Sequence, residues 1–169
     1  MEYLEEYLLP TIFDLIGRHY SDREEVPDYR SEKEGIEKLL GVFQGARQDT
    51  FYATVLEKAV YILLQINKGH FFSNGNKRLS LICAIGFLGL NNIDFKQGIS
   101  KENYRKHFSE FFPSPFEFED YPDFSSEEFA LYNLSIFIAD STKYGVAFEE
   151  LKKGVQQFVE RMVMPPKSL

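Results

Sequence analysis

His70-Phe71-Phe72-Ser73-Asn74-Gly75-Asn76-Lys77-Arg78 and the run behind it, Leu79 to Leu90, are the stretch on which the fold turns. In that run Leu79, Ile82, Cys83, Gly86, Phe87 and Leu90 recur at helical spacing, while Leu81, Ala84, Ile85 and Leu88 cover the other faces. A helix from about Asn76 to Leu90 that is apolar all round belongs at the centre of a bundle. Upstream, Leu56, Ala59, Val60, Leu63 and Asn67 mark a second buried helix over Ala53 to Lys68, with Glu57, Lys58 and Gln65 on a wet side. The polar stretch 70–78 therefore joins two buried helices, a rare place for so many hydrogen-bonding and charged groups.

Outward from this pair, period-3.6 patterning recurs and period-2 alternation is nearly absent, so the fold class is all-α. The periodicity predicts helices over Tyr3 to His19 (interrupted near Pro10), Glu32 to Phe43, Lys101 to Phe112, Ser126 to Ser141 and Ala147 to Val163, the last stopped by Pro165-Pro166. Ser21 to Tyr29 is a charged connection containing Pro27, and Gln44 to Tyr52 reads as an exposed loop or a small hairpin. Pro113 to Ser125 is an aromatic and acidic connector. Its carboxylates, with Glu127 and Glu128, read as a solvated charge run rather than a metal cluster, and its aromatics suggest a surface for a partner as the alternative. No internal repeat is visible, and a length of 169 residues suits a single compact domain, 1–169.

Composition narrows the function. Hydrophobic residues make up 44% and charged residues 27% of the chain, enough for a sizeable core. A formal charge of -7 works against a general grip on phosphate backbones, so nucleic acid is not the expected partner. The lone Cys83 excludes intrachain disulfides and cysteine metal sites, which suits a reducing cytoplasm. The acidic start Met1-Glu2-Tyr3-Leu4-Glu5-Glu6 does not resemble a secretory leader, and the run Leu79 to Leu90 falls short of the ~20 residues a bilayer span needs. A cytoplasmic protein with no membrane segment is expected.

The chemistry concentrates at 70–78. Lys77 and Arg78 fall in the first turn of a helix, where the macrodipole is positive and each cation is disfavoured by roughly 0.3 to 1 kcal/mol. A bound polyanion resolves that conflict, because the dipole, the free N–H groups and both side chains then face negative oxygens. His70, at the end of the preceding helix, is the nearest base for a hydroxyl approaching such a phosphate. Each residue also has a plainer reading. His70 could complement a helix dipole, Ser73 or Asn74 could be an N-cap, Asn74-Gly75 could be a turn, and Phe71 and Phe72 could be core aromatics. Those readings leave the two cations at the wrong helix end unexplained.

The segment resembles the signature of the Fic/Doc (Fido) family, His-x-Phe-x-Asp/Glu-Ala/Gly-Asn-Gly/Lys-Arg, through His70, Phe72, Gly75, Asn76, Lys77 and Arg78. The likeness is clearest from about Gly35 to Phe95, where Asn91-Asn92 follows the apolar helix much as the family's Asn-Gly ending does. The resemblance implies a Fido-type bundle around a central apolar helix, with Gln44 to Tyr52 as a flap that receives a target segment by strand addition. It implies that His70 is the general base for a Ser, Thr or Tyr hydroxyl of a protein substrate. By the same likeness Gly75, Asn76, Lys77 and Arg78 form the anion hole for ATP phosphates, with Arg78 part of the catalytic set, and Phe72 anchors the loop. Lys77 makes the motif similar to the Doc type, which transfers the terminal phosphate to a translation elongation factor and is restrained by an antitoxin chain; the Gly form mostly transfers AMP. Asn74 stands where the family has the acidic magnesium ligand, which leaves Mg2+ to be held chiefly by the phosphates and opens an alternative, an impaired nucleotide-binding or protein-interaction module. Ser21 to Glu25 has the spacing of the family's inhibitory sequence, but Val26 follows where Gly or Asn is needed.

Overall fold

A computed structural model describes residues 1–20, 25, 27–113 and 115–165, with only the backbone described at His19 and Tyr20. They form two compact units, Met1–Asn91 and Asn92–Leu169. Among the described residues there are seven α-helices and no strand, so the all-α expectation holds.

The first unit contains α1 (Leu9–Tyr20), α2 (Lys33–Gly45), α3 (Val55–Gly69) and α4 (Asn76–Leu90). Pro10 does not interrupt a helix that began at Tyr3. A 3-10 turn occupies Glu6–Leu8, and Pro10 lies in the first turn of α1, where its missing N–H costs no hydrogen bond. Leu9, Ile12, Phe13 and Ile16 turn inward. α3 opens on a reciprocal capping box: Glu57 N–H donates to Thr54 Oγ1 at 3.1 Å, and Thr54 N–H donates to Glu57 Oε2 at 2.9 Å. α4 packs along α3 and against α1. Its Leu79, Leu81, Cys83, Ala84, Phe87 and Leu88 are buried, but Gly86, Gly89 and Leu90 are exposed, so the expected all-round burial stops short of the helix end. Burial pushes the Cys83 thiol upward, which keeps it protonated and unreactive.

Lys58 corrects the expected wet face of α3. It is fully buried, with Nζ donating 2.7 Å to the Ala46 carbonyl and pairing at 2.8 Å with the exposed Asp49 carboxylate. A buried ammonium is tolerated because both partners meet it. The same contacts fix residues 46–52, which are turns rather than a hairpin. Arg47 and Gln48 N–H groups bond back to Gln44 and Gly45, and Phe51 and Tyr52 both bond to the Gln48 carbonyl. Arg47 pairs with Glu5 and lies over the Tyr3 ring, and Tyr52 lies against Tyr61. The strand-addition flap therefore has no β-ladder of its own here.

Lys58 holds the Asp49 carboxyl below the usual aspartate range, by a hydrogen bond first and by charge attraction second. A lowered folded-state value means that the contribution to stability is present above the unfolded value and lost as pH falls through the lower folded one. Lys58→Met is expected to flatten the acid limb of the stability curve below about pH 4 and to speed amide exchange at 46–52. Urea unfolding across pH 2–7 and exchange mass spectrometry would check it; an unchanged acid limb would remove the pair from the account.

The second unit contains α5 (Lys101–Phe111), α6 (Ser126–Asp140) and α7 (Phe148–Met162), with α5 packed on both others. Its core is aromatic: the Phe108 ring centroid lies between 4.6 and 5.6 Å from those of Phe112, Phe116, Phe118, Phe137 and Phe158. From the connector, Phe116 and Phe118 pack onto this cluster and are half-buried. Its acids are partly engaged as well. Asp120 bridges Lys101 and Arg105, Glu119 accepts from the Tyr132 hydroxyl, and Glu128 closes a capping box with Ser125. No cluster of three or more His, Cys, Asp or Glu suited to a metal occurs among the described residues. Phe148, the first residue of α7, is 44% exposed, whereas Leu151, Val155, Phe158, Val159 and Met162 are buried. α7 ends as Val163 extends to form a single antiparallel bridge with Phe95. Among the described residues no helix is long and apolar enough to cross a membrane.

Candidate functional site: the loop between α3 and α4

α3 ends on Gly69, and His70 follows as its C-cap with left-handed backbone, φ 48° and ψ 46°. Histidine is among the residues that tolerate this conformation. The side chain is exposed, at the mouth of the loop. Phe71 lies half-buried over Gly69, where an added Cβ would sit 2.2 Å from its ring.

Phe72 turns inward and is 4% exposed, edge-on to both Tyr29 and Phe13, which stack on each other at 4.9 Å. Asn76 then closes the loop on itself: its Oδ1 accepts from Phe72 N–H at 3.0 Å and its Nδ2 donates to the Phe72 carbonyl at 2.7 Å. A side-chain amide matches a backbone amide in both directions, which an acid or a lysine cannot do. The Asn76 side chain is thus spent on loop shape, leaving its N–H for any ligand.

Gly75 is the N-cap of α4, with φ 74° and no side-chain cap bond. It is buried, and an added Cβ would come 2.2 Å from the Tyr29 hydroxyl oxygen and 3.0 Å from Pro27 Cγ. Its carbonyl accepts from Leu79 N–H at 3.0 Å, starting the helix, and from the Tyr29 hydroxyl at 2.9 Å. The first-turn N–H groups have no partner inside the helix. Lys77 and Arg78 join them at the positive end of the dipole, with no acidic residue in that turn. Lys77 is exposed, whereas Arg78 is 4% exposed and donates from Nη2 to the Glu25 carbonyl at 3.3 Å. The arrangement suits an oxyanion at the helix start, with a base one loop away.

The Asn74 Oδ1 accepts from Gly75 N–H at 2.7 Å. That uncharged oxygen, with no acidic cluster nearby among the described residues, does not fit a magnesium ion held by protein side chains. Of the inhibitory-type stretch Ser21 to Glu25, only Glu25 lies within the described residues, and it meets Arg78 through its backbone carbonyl. Sequence reading missed Tyr29 and Glu32. Glu32 accepts from Ser73 N–H at 2.8 Å through Oε2 and from the Ser73 hydroxyl at 2.6 Å through Oε1. Ser73 is therefore no N-cap. Tyr29 and Glu32 are each more than 40 positions from the residue they bond, beyond any local periodicity; the one signal was an aromatic in a charged segment, Pro27-Asp28-Tyr29.

An all-α unit with a polar loop joining its two innermost helices, and an uncapped, cation-bearing helix start, defines the class. The family model described as Fic/DOC family matches residues 3–88, just over half of the 169 residues. The chain belongs to the Fic/DOC family, and that membership points to transferase-type activity. The matched span contains α1 to α3, the whole site loop and most of α4. Comparison with curated proteins and with solved structures gives no match.

Proposed function

We propose that the chain transfers a phosphoryl group, or AMP, from ATP to a hydroxyl side chain of a target protein. The observation that carries this reading is the loop itself: a base, His70, at one end, and at the other the Gly75 turn that leaves the α4 N–H groups, Lys77 and Arg78 together. In the reaction the target oxygen attacks phosphorus and its proton passes to His70. Attack at the terminal phosphate breaks the bond to ADP; attack at the alpha phosphate releases pyrophosphate. The N–H groups of Asn76, Lys77 and Arg78, with the Lys77 ammonium, oppose the charge that gathers on the phosphate oxygens. Phe72 and the Asn76 side chain keep the loop in shape for this. Lys77 in place of glycine favours terminal transfer, and resemblance to the Doc type extends the reading to a translation-factor target and an antitoxin partner.

Incubating the protein with host-cell lysate and ATP labelled at the terminal or the alpha phosphate tests it. Label on protein from the terminal position means phosphorylation and from the alpha position nucleotidylation; no label in either tube rejects transfer.

A second reading, a nucleotide-binding module that does not transfer, is favoured by Asn74, whose amide oxygen is turned onto Gly75 N–H. Asn74→Asp separates the two. If the missing carboxylate limits the reaction, the variant should label targets at least about 10-fold faster than wild type, the scale of one charge-assisted contact. Equal rates would show that position 74 is not limiting.

A further inference from the structure

We infer that residues 29–35, the 3-10 turn and the first turn of α2, are the positioning element of the phosphate loop, with Glu32 and Tyr29 gripping the residues on either side of Asn74. The inference rests on the proposed reading for its ligand, but its structural half stands on geometry alone.

Glu32 is the N-cap residue of α2, yet its side chain makes no bond to that helix. Both carboxylate oxygens go to Ser73, one to the backbone N–H at 2.8 Å and one to the hydroxyl at 2.6 Å. These are charge-assisted bonds, about twice as strong as neutral ones. Three residues earlier, the Tyr29 hydroxyl donates 2.9 Å to the Gly75 carbonyl, while its ring packs edge-on to Phe72 and stacks on Phe13. One turn later, Gly35 is so close to the loop that an added Cβ would sit 2.6 Å from the Phe71 carbonyl and 2.7 Å from the Phe72 ring. The segment therefore touches the loop at Phe71, Phe72, Ser73 and Gly75. It leaves Asn74 exposed between the two grips. Gly75 has the positive φ from which α4 sets out, so whatever fixes its carbonyl fixes the direction of the first-turn N–H groups.

Tyr29 and Glu32 touch no reacting atom; they are positioning residues. Tyr29→Phe keeps the ring packing and removes only the hydroxyl. Glu32→Ala removes both bonds to Ser73. Glu32→Gln can restore both, because its oxygen accepts from Ser73 N–H and its NH2 donates to the Ser73 oxygen. Two readouts are needed on the full chain, deuterium exchange of the 70–78 peptide and ATP affinity by calorimetry. Tyr29→Phe should speed exchange and weaken ATP by about 5-fold, Glu32→Ala by about 10-fold, and Glu32→Gln should stay within about 2-fold of wild type, with exchange in the rest of the chain unchanged. Unchanged exchange at 70–78 in Tyr29→Phe and Glu32→Ala overturns the inference whatever ATP does. Faster exchange with unaltered ATP affinity overturns its link to phosphate. If wild type itself does not bind ATP, the proposed function fails, and the exchange result alone decides whether the grip is real.

Discussion

His70→Ala is expected to lower the transfer rate by about 100- to 10,000-fold, the usual contribution of a positioned general base, while leaving both the fold and ATP affinity near wild type. The side chain is exposed, so its removal should change stability by no more than about 0.5 kcal/mol. The backbone at this position is left-handed, so His70→Gly is the companion variant, since glycine takes that conformation without a steric cost. Both should bind ATP and neither should label protein. Rates are compared at saturating ATP, which separates lost chemistry from lost binding. A variant that labels as fast as wild type would remove His70 from the mechanism and return it to the plainer role of ending α3.

The second large effect is structural. Gly75→Ala meets two obstacles at once: φ of 74°, which costs a residue with a Cβ about 1–2 kcal/mol, and a Cβ placed 2.2 Å from the Tyr29 hydroxyl oxygen. Tyr29 is 2% exposed and stacked on Phe13, so it cannot give way without disturbing the loop's support. Overpacking of this kind adds about 1–3 kcal/mol. Together the expected loss is about 2–5 kcal/mol, or a fall in Tm of about 5–15 °C for a chain of this size. The double variant with Tyr29→Phe should be less destabilised than the sum of the singles, because the atom in the way is gone. Strict additivity in thermal melts would show that backbone strain alone is responsible.

The two innermost helices were legible because burial leaves a periodic trace in the chain. α4 carried it on every face and α3 on one. The loop was legible for a different reason: Lys77 and Arg78 contradict the dipole of the helix they begin, and local contradictions of that kind mark sites. Lys58 was not legible. Its spacing places it on a polar face, and only the Ala46 carbonyl and Asp49, brought up by a turn earlier in the chain, make burial tolerable. The segment 46–52 likewise looked open to a hairpin, since its turn residues suit either form. Backward hydrogen bonds to Gln44, Gly45 and Gln48 decided for turns. The contacts of the connector's phenylalanines were not legible because composition does not say which way a side chain faces; packing against Phe108 half-buries Phe116 and Phe118.

By itself, then, the amino-acid sequence determined the all-α class and the helix pair that flanks the loop, and it singled out His70, Lys77 and Arg78, joined through the family resemblance by Gly75 and Asn76, as the candidates for the proposed chemistry. Those properties are local: helical period, charge against a dipole, and a glycine where the chain must turn. Tertiary structure alone decided how the loop is held. The Tyr29 hydroxyl on the Gly75 carbonyl and the Glu32 carboxylate on Ser73 join positions 46 and 41 residues apart. No local pattern encodes such a pair. Each bond forms only after hydrophobic burial has brought α2 and the loop together, because a lone hydrogen bond is far too weak to close a chain segment of that length.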